Sequence, residues 1–273
     1  MNIETITPLI LTYNETPNIG RTLAKLDWAQ EIIVIDSFSE DSTLEILKSH
    51  PQIKIFQRKF DTHAQQWNYG LEQVKSEWVL SLDADYVLTD ELIDSFSSLN
   101  NSAIDGYFIP YRYCVFGKPL HGTILPDRLA LFRKDRATYI DDGHTQLLEL
   151  QGRSSRLDAY IHHDDRKPLS RWLWAQDRYM VMEAKKLLEM PKSELSFGDR
   201  IRKRKVFAPF IVLIYCLILK GGILDGWHGW YYAFQRTLAE ILLSIHIIEA
   251  EHLRDRRSSA STSSSAKVRI GDL

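Results

Sequence analysis

The sequence predicts an α/β protein with a mixed, mostly parallel sheet flanked by helices, followed by amphipathic helices that associate with a membrane. Three observations carry this. From residue 6 to about residue 100, short apolar runs alternate with helix-like stretches, the pattern of βαβ units. Several of those runs end in acidic or polar clusters, as strands do when their carboxyl tips line a ligand crevice. After residue 168 the composition shifts to long apolar and aromatic stretches bracketed by basic residues.

Strands are expected at 7–11, 32–35, 53–57 and 78–82, where β-branched and large apolar residues run together. Helices are expected between them at about 18–26, 42–48 and 63–75, with Asp41 or Ser42 capping the second. A further helix near 90–99 precedes the runs 106–116 and 128–133, whose aromatic and β-branched content suits strands that extend the sheet or form a hairpin. An amphipathic helix is expected over 169–188, where Trp172, Trp174, Tyr179, Met180 and Met182 are interspersed with Arg and Lys.

Next, Arg200, Arg202, Lys203, Arg204 and Lys205 precede the apolar run from Val206 to Leu219, which is too short for an ordinary spanning helix of roughly 20 residues. The aromatic-rich stretch from Trp227 to Ile248 carries Arg236 and Glu240, which disfavours a lipid-facing span. Basic cluster, apolar segment and aromatic helix together suggest a peripheral or monotopic attachment to the cytoplasmic leaflet of the cell membrane. Two core helices capping the sheet are the alternative. The serine-rich tail, residues 254–273, is expected to be disordered. Three regions follow: 1–168, the α/β domain; 169–253, a helical, membrane-associating region; and 254–273, the tail.

At 273 residues, 44% hydrophobic and 26% charged, the chain can bury a full core. A net charge of -2 gives no global attraction to nucleic acid, so no nucleic-acid partner is expected. Cys114 and Cys216 lie far apart without metal-ligand spacing, which fits a reducing compartment. The amino terminus lacks the basic flank and apolar core of a signal peptide, so a cytoplasmic location is expected.

Asp83-Ala84-Asp85 ends the apolar run Trp78-Val79-Leu80-Ser81-Leu82 and puts two carboxylates at one strand tip. Such a pair can share a hard divalent cation, the usual means of holding a diphosphate. Asp36 ends Ile32-Ile33-Val34-Ile35, where a carboxylate can accept from a base N–H or ribose hydroxyl; Thr12, Tyr13 and Glu15 share the neighbouring tip.

The ordered series Thr12-Tyr13-Asn14-Glu15, Asp36-Ser37-Phe38-Ser39-Glu40-Asp41-Ser42-Thr43 and Asp83-Ala84-Asp85 resembles the inverting family 2 glycosyltransferases of the GT-A fold over roughly residues 5–165. Gln65-Gln66-Trp67-Asn68-Tyr69-Gly70 and Lys220-Gly221-Gly222-Ile223-Leu224-Asp225-Gly226 are similar to the branch containing the WaaE-type lipopolysaccharide-core glucosyltransferases. In that branch strand four usually ends Asp-Ala-Asp-Glu, where this chain has Tyr86. The later His-Glu is His144-Thr145 here.

The resemblance implies a nucleotide-sugar donor, a UDP-sugar being the first expectation, and a Mg or Mn ion held by Asp85. Asp83 would contact ribose or a metal-bound water. It also implies a lipid-linked or lipopolysaccharide saccharide as acceptor. Inverting transfer needs a carboxylate general base. Asp127, Asp141 and Asp142 are the candidates, Asp142 preferred because it lies two residues before His144, which could orient the base or contact the diphosphate. His162-His163-Asp164-Asp165-Arg166 resembles a segment at the active-site rim; an adjacent His pair with acids could instead hold zinc. Arg166 and Lys167 could neutralise phosphate charge.

Other classes fit less well. A nucleotidyltransferase would carry a glycine-rich basic loop where this chain has Tyr13-Asn14-Glu15-Thr16-Pro17, and a Rossmann dehydrogenase would need G-x-G-x-x-G there. The non-enzymatic alternative is a degenerate nucleotide-sugar-binding scaffold at the membrane.

Overall fold

A computed structural model of the chain describes residues 2–99, 103–142 and 145–268; the side chains of Asp142, Thr145 and residues 254–268 lie outside the description. Four parallel strands form the heart of the sheet: β1 (Ile6–Thr12), β2 (Ile32–Asp36), β3 (Ile53–Gln57) and β4 (Trp78–Asp83), in the order β4-β1-β2-β3. Helices α1 (Ile19–Leu23), α2 (Thr43–Lys48) and α3 (His63–Gln73) connect them. β2 is buried along its whole length, as strands covered on both faces must be.

Side-chain alternation sorts the core into two layers. Ile6, Ile10, Ile32, Val34, Leu80 and Leu82 face one side, where Leu92 and Phe96 of α4 (Asp90–Ser98) pack. Leu9, Ile33, Ile35 and Val79 face the other, under Trp67 and Leu71 of α3. Gly70 lets α3 lie this close: a Cβ there would stand 2.7 Å from Leu9 Cδ1 and 3.1 Å from Ile35 Cγ1.

Past β4 the chain builds more strands than the sequence predicts. β5 (Tyr86–Leu88) precedes α4, and the run 106–116 divides at Pro110 into β6 (Gly106–Ile109) and β7 (Tyr111–Val115). β8 (Lys118–Pro119) turns back on β7. β9 (Arg128–Arg133) inserts antiparallel between β4 and β6, and a hairpin follows, β10 (Ala137–Asp142) with β11 (Thr145–Leu150). β12 (Ser154–Arg156) lies on the edge beside β6, while β13 (Ile161–His163) joins β5, β7 and β8 in a second sheet. Pro110 gives up its own N–H yet accepts from Ile161 N at 3.0 Å, so the break between β6 and β7 becomes the hinge between the two sheets.

The remainder is helical: α5 (Leu169–Glu189), α6 (Phe197–Arg202), α7 (Ala208–Ile214) running into a π-helical turn (Tyr215–Leu219), and α8 (Trp227–Val268). Ser196 and Asp199 form a reciprocal capping box that starts α6. Arg202 then joins three helices, bonding Glu240 at 3.1 Å and Glu183 at 3.3 Å. The inner faces of α7 and α8 cover the β7–β8 hairpin through Cys216, Leu217, Tyr232 and Ala233. The core-helix alternative therefore describes these inner faces. The α8 backbone is helical to Val268 and so runs into the serine-rich tail expected to be disordered. Among the described residues, no helix is long and apolar enough to cross a membrane.

Candidate active site

The site is built from the carboxyl tips of β1, β2 and β4. Asp36, fully buried at the β2 tip, accepts from Thr12 Oγ1 (3.0 Å), Ser39 N (2.9 Å), Ser39 Oγ (2.5 Å) and Gln57 Nε2 (3.3 Å). Its carboxylate thereby fastens three strand tips together. The loop after β1 is locked to the loop after β2 as well. Asn14, with φ of 55°, donates from N to Ser39 Oγ and accepts from Glu40 N, while Glu15 N donates to Thr43 Oγ1 at 2.8 Å. Asp41 accepts from Thr16 N and Thr43 N, taking the capping role for α2 that was expected of it or Ser42. Burial acts to raise the Asp41 pKa, but these hydrogen bonds outweigh it and lower the value. Tyr13, 44% exposed, stands clear of this network, and the Arg171 guanidinium lies 5.5 Å from its ring centroid.

Asp85 is the buried acid of the pair at the β4 tip. Its Oδ2 lies 3.3 Å from His163 Nε2, and its Oδ1 is shut off from solvent without a hydrogen-bond partner. Burial would raise its pKa, yet the charge and hydrogen bond of His163, helped by Lys167, hold it down to about 2. The reciprocal effect raises His163 against the opposing pull of burial. His163 reaches Asp85 because β13 pairs antiparallel with β5, setting His163 opposite Tyr86. Tyr86, where the related branch has Glu, is buried and meets the His163 ring at 5.2 Å. Asp83 is more open and faces Arg128, whose NH1 lies 3.6 Å from its Oδ2.

The segment after β13 closes over the β1 loop. Lys167 Nζ donates to Glu15 Oε1 at 2.7 Å, and Asn18 Nδ2 donates to Glu15 Oε2 (2.8 Å) and Asp165 Oδ1 (2.9 Å). Burial pushes the Glu15 carboxyl up to about 7, the neighbouring Lys167 charge resisting. Arg166 is held by Asp164 at 2.8 Å. Both cations expected to face phosphate are thus ion-paired to carboxylates of the chain itself.

The general-base candidates divide. Asp127 precedes β9 and is ion-paired with Arg156. Asp141 is exposed on β10. The backbone of Asp142 pairs with Thr145, while its side chain, and His144 altogether, lie outside the described residues. Asn68 fixes this hairpin: its Nδ2 donates to Tyr139 O (2.8 Å), its Oδ1 accepts from Tyr139 N (2.9 Å), and Trp67 stacks on the Tyr139 ring at 5.3 Å. The Gln65-Gln66-Trp67-Asn68 motif is therefore a positioning device. Among the described residues no three His, Cys, Asp or Glu side chains converge on one metal position, so the zinc reading of His162-His163 has no cluster behind it. Successive residues on β13 point to opposite faces, and His163 alone turns to Asp85. His163 and Arg128 went unassigned from sequence as partners of the acid pair. The only available hint was the histidine pair at the end of the resembling segment.

Comparison with known proteins places these features in a family. The family described as Glycosyl transferase family 2 matches residues 9–149, more than half of the chain. The SPbeta prophage-derived glycosyltransferase SunS of Bacillus subtilis is 36% identical over 93 residues, 32% of this chain and 21% of SunS. The lipopolysaccharide core biosynthesis glycosyltransferase LpsC of Rhizobium meliloti is 27% identical over 84 residues, 29% of this chain and 31% of LpsC. The chain thus spans well under half the length of either relative. Among solved structures, the mannosyltransferase PcManGT of Pyrobaculum calidifontis superimposes with a TM-score of 0.53 at 17% identity, covering 92% of this chain and 87% of that one. By the family match the chain belongs to glycosyl transferase family 2, and by the shared architecture it has the GT-A fold.

Proposed function

We propose that the protein moves a sugar from a UDP-sugar or similar nucleotide-sugar to a lipid-linked or lipopolysaccharide saccharide, with inversion and with Mg or Mn. The single observation that carries this is the Asp85 carboxylate at the β4 tip, held ionised yet leaving one buried oxygen without a partner. A desolvated anionic oxygen is costly unless something takes it up, and a hard divalent cation does so. Asp85 and Asp83 would hold that ion. When bound, it would neutralise charge on the departing diphosphate. PcManGT, whose structure contains GDP-Man and Mn2+, supports this assignment.

The chain's own groups supply the rest. Tyr13 offers an exposed ring on which a nucleobase can stack, beside Thr12 and Glu15. Asp36 acts chiefly by holding that tip in shape and contacts the nucleotide from the floor of the crevice. Asp142, or its neighbour Asp141, removes the acceptor hydroxyl proton as the oxygen attacks the anomeric carbon. Likeness to LpsC, named for lipopolysaccharide core biosynthesis, supports a lipid-linked acceptor met at the cytoplasmic face of the membrane. Calorimetric titration of a panel of nucleoside diphosphates, with and without Mn, tests the donor site. One diphosphate binds only with metal, and Asp85→Asn lowers its affinity at least about a hundredfold, the scale of a lost charged contact. Binding indifferent to both metal and Asp85 defeats the reading and leaves the scaffold alternative in front.

A further inference from the structure

We propose that the segment from Val206 to Trp227, together with the outer face of α8, lies in the plane of an anionic bilayer as a monotopic anchor. The inference deepens the reading of an acceptor met at the membrane by assigning the residues that enter it and the lipid charge they select. Along α7 and its π-helical continuation, Phe207, Phe210, Ile214 and Ile218 recur at helical spacing, each 58–64% exposed. The opposite stripe, Pro209, Val212, Cys216 and Leu217, packs inward or is buried. A helix apolar on both faces, only one of them covered by protein, needs a second apolar environment. The turn that follows exposes Leu219 at 73% and Leu224 at 82%. On α8, Trp227, Trp230, Phe234, Ile241, Ile245 and Ile248 continue an exposed stripe.

Charge names the occupant. From Val206 to Ala239 the only acidic residue is Asp225, and its side chain is fully buried against His121. Cations flank the apolar stripe at both ends. Lys203 and Arg204 precede it without an ion pair among the described residues, unlike Arg202 and Lys205, which are bound to Glu240 and Glu251. Lys220 follows it, exposed, with its ammonium 5.6 Å from the Tyr215 ring. Apolar side chains ringed by cations and aromatic residues match the acyl boundary and headgroup layer of an anionic leaflet. A second copy of the chain would instead bring like charges together.

The test is flotation of the full chain with extruded vesicles, without donor or acceptor. Wild-type protein floats with phosphatidylcholine vesicles containing phosphatidylglycerol and less with phosphatidylcholine alone. The combined variant Phe210→Ser, Ile218→Ser, Leu224→Ser partitions at least about tenfold less, as expected for three lost apolar contacts, while its thermal unfolding and slow donor hydrolysis match wild type. The pair Lys203→Gln, Arg204→Gln falls to the level seen on neutral vesicles. Brominated acyl chains quench wild-type tryptophan emission, and Trp227→Phe with Trp230→Phe removes most of the quenched component. Wild-type protein that ignores both vesicle types overturns the proposal. So does wild-type partitioning by the triple variant, or a solution dimer that the triple variant dissociates. Nucleotide binding is read separately, so failure here leaves the donor site untouched, and failure there leaves the anchor untouched.

Discussion

Glu15 sits where its carboxyl is buried deeply enough to titrate at about 7, with Lys167 at 2.7 Å drawing it the other way. A folded-state pKa raised above the ordinary 4.5 means the native protein binds this proton more tightly than the unfolded chain. Stability from this group is therefore complete below pH 4.5 and lost as pH rises through 7, a change on the order of 3 kcal/mol. Urea unfolding of metal-free protein across that range should show the decline, and Glu15→Gln should flatten it; an unchanged slope refutes the shift. At this scale the sequence shows which acids end strands, because an apolar run followed by Asp is a local pattern. It does not show that Asp36 spends its lone pairs on Thr12, Ser39 and Gln57, since those donors come from three separate elements. His163 is hidden for the same reason: only the pairing of β13 with β5 brings it to Asp85.

Helix α3 shows how an element can position a site without touching it. One face presses Gly70 into Leu9 and Ile35, and the other end of the same turn holds Tyr139 of β10 through Asn68. Gly70→Val puts a branched side chain where a single Cβ already meets atoms at 2.7 Å. Overpacking of this kind costs about 1–3 kcal/mol, so the urea midpoint should fall accordingly. Because α3 must move outward, sugar transfer should fall further than stability alone explains, through displacement of the hairpin. A variant as stable and active as wild type would show that α3 does not set the hairpin. β1, β2 and β4 were legible because each is an apolar run buried along nearly its whole length, and β9 because Ala130, Leu131 and Phe132 are buried together; β3 and α5 carry the expected apolar residues with few or none of them buried. β12 was not, being three residues long and exposed throughout; β13 is equally short and mostly polar. Such strands exist because a neighbouring edge accepts them, and their own composition carries no signal.

Across the whole molecule, the helical region is tied to the catalytic sheet at a polar latch as well as by apolar packing. Asp225 accepts from His121 N (3.0 Å), Gly122 N (3.4 Å) and His121 Nδ1 (2.6 Å), and Tyr232 Oη accepts from Ile124 N at 3.1 Å. The Lys220-Gly221-Gly222-Ile223-Leu224-Asp225-Gly226 motif, legible only as a family likeness, is thus the clasp over the loop that leads to Asp127 and Arg128. Gly122 belongs to it: a Cβ there would lie 2.4 Å from Lys220 O. Asp225→Ala strips buried amides of their acceptor and should cost about 2 kcal/mol. Amide hydrogen exchange should report it first at residues 121–124, with α3 and β1 still protected; uniform loss of protection would instead make Asp225 a general stability residue.

The latch also has a meaning in time. Asp225 lies 104 residues beyond His121, and a ribosome adding about 5–20 residues per second needs on the order of 5–20 s to cover that distance. For that interval the strands that form the nucleotide crevice are already outside the exit tunnel while the loop before Arg128 has nothing to fasten it. Newly made protein therefore has strands β1 to β4 outside the ribosome before this loop is fastened, and a protease present during synthesis should cut first between residues 118 and 126.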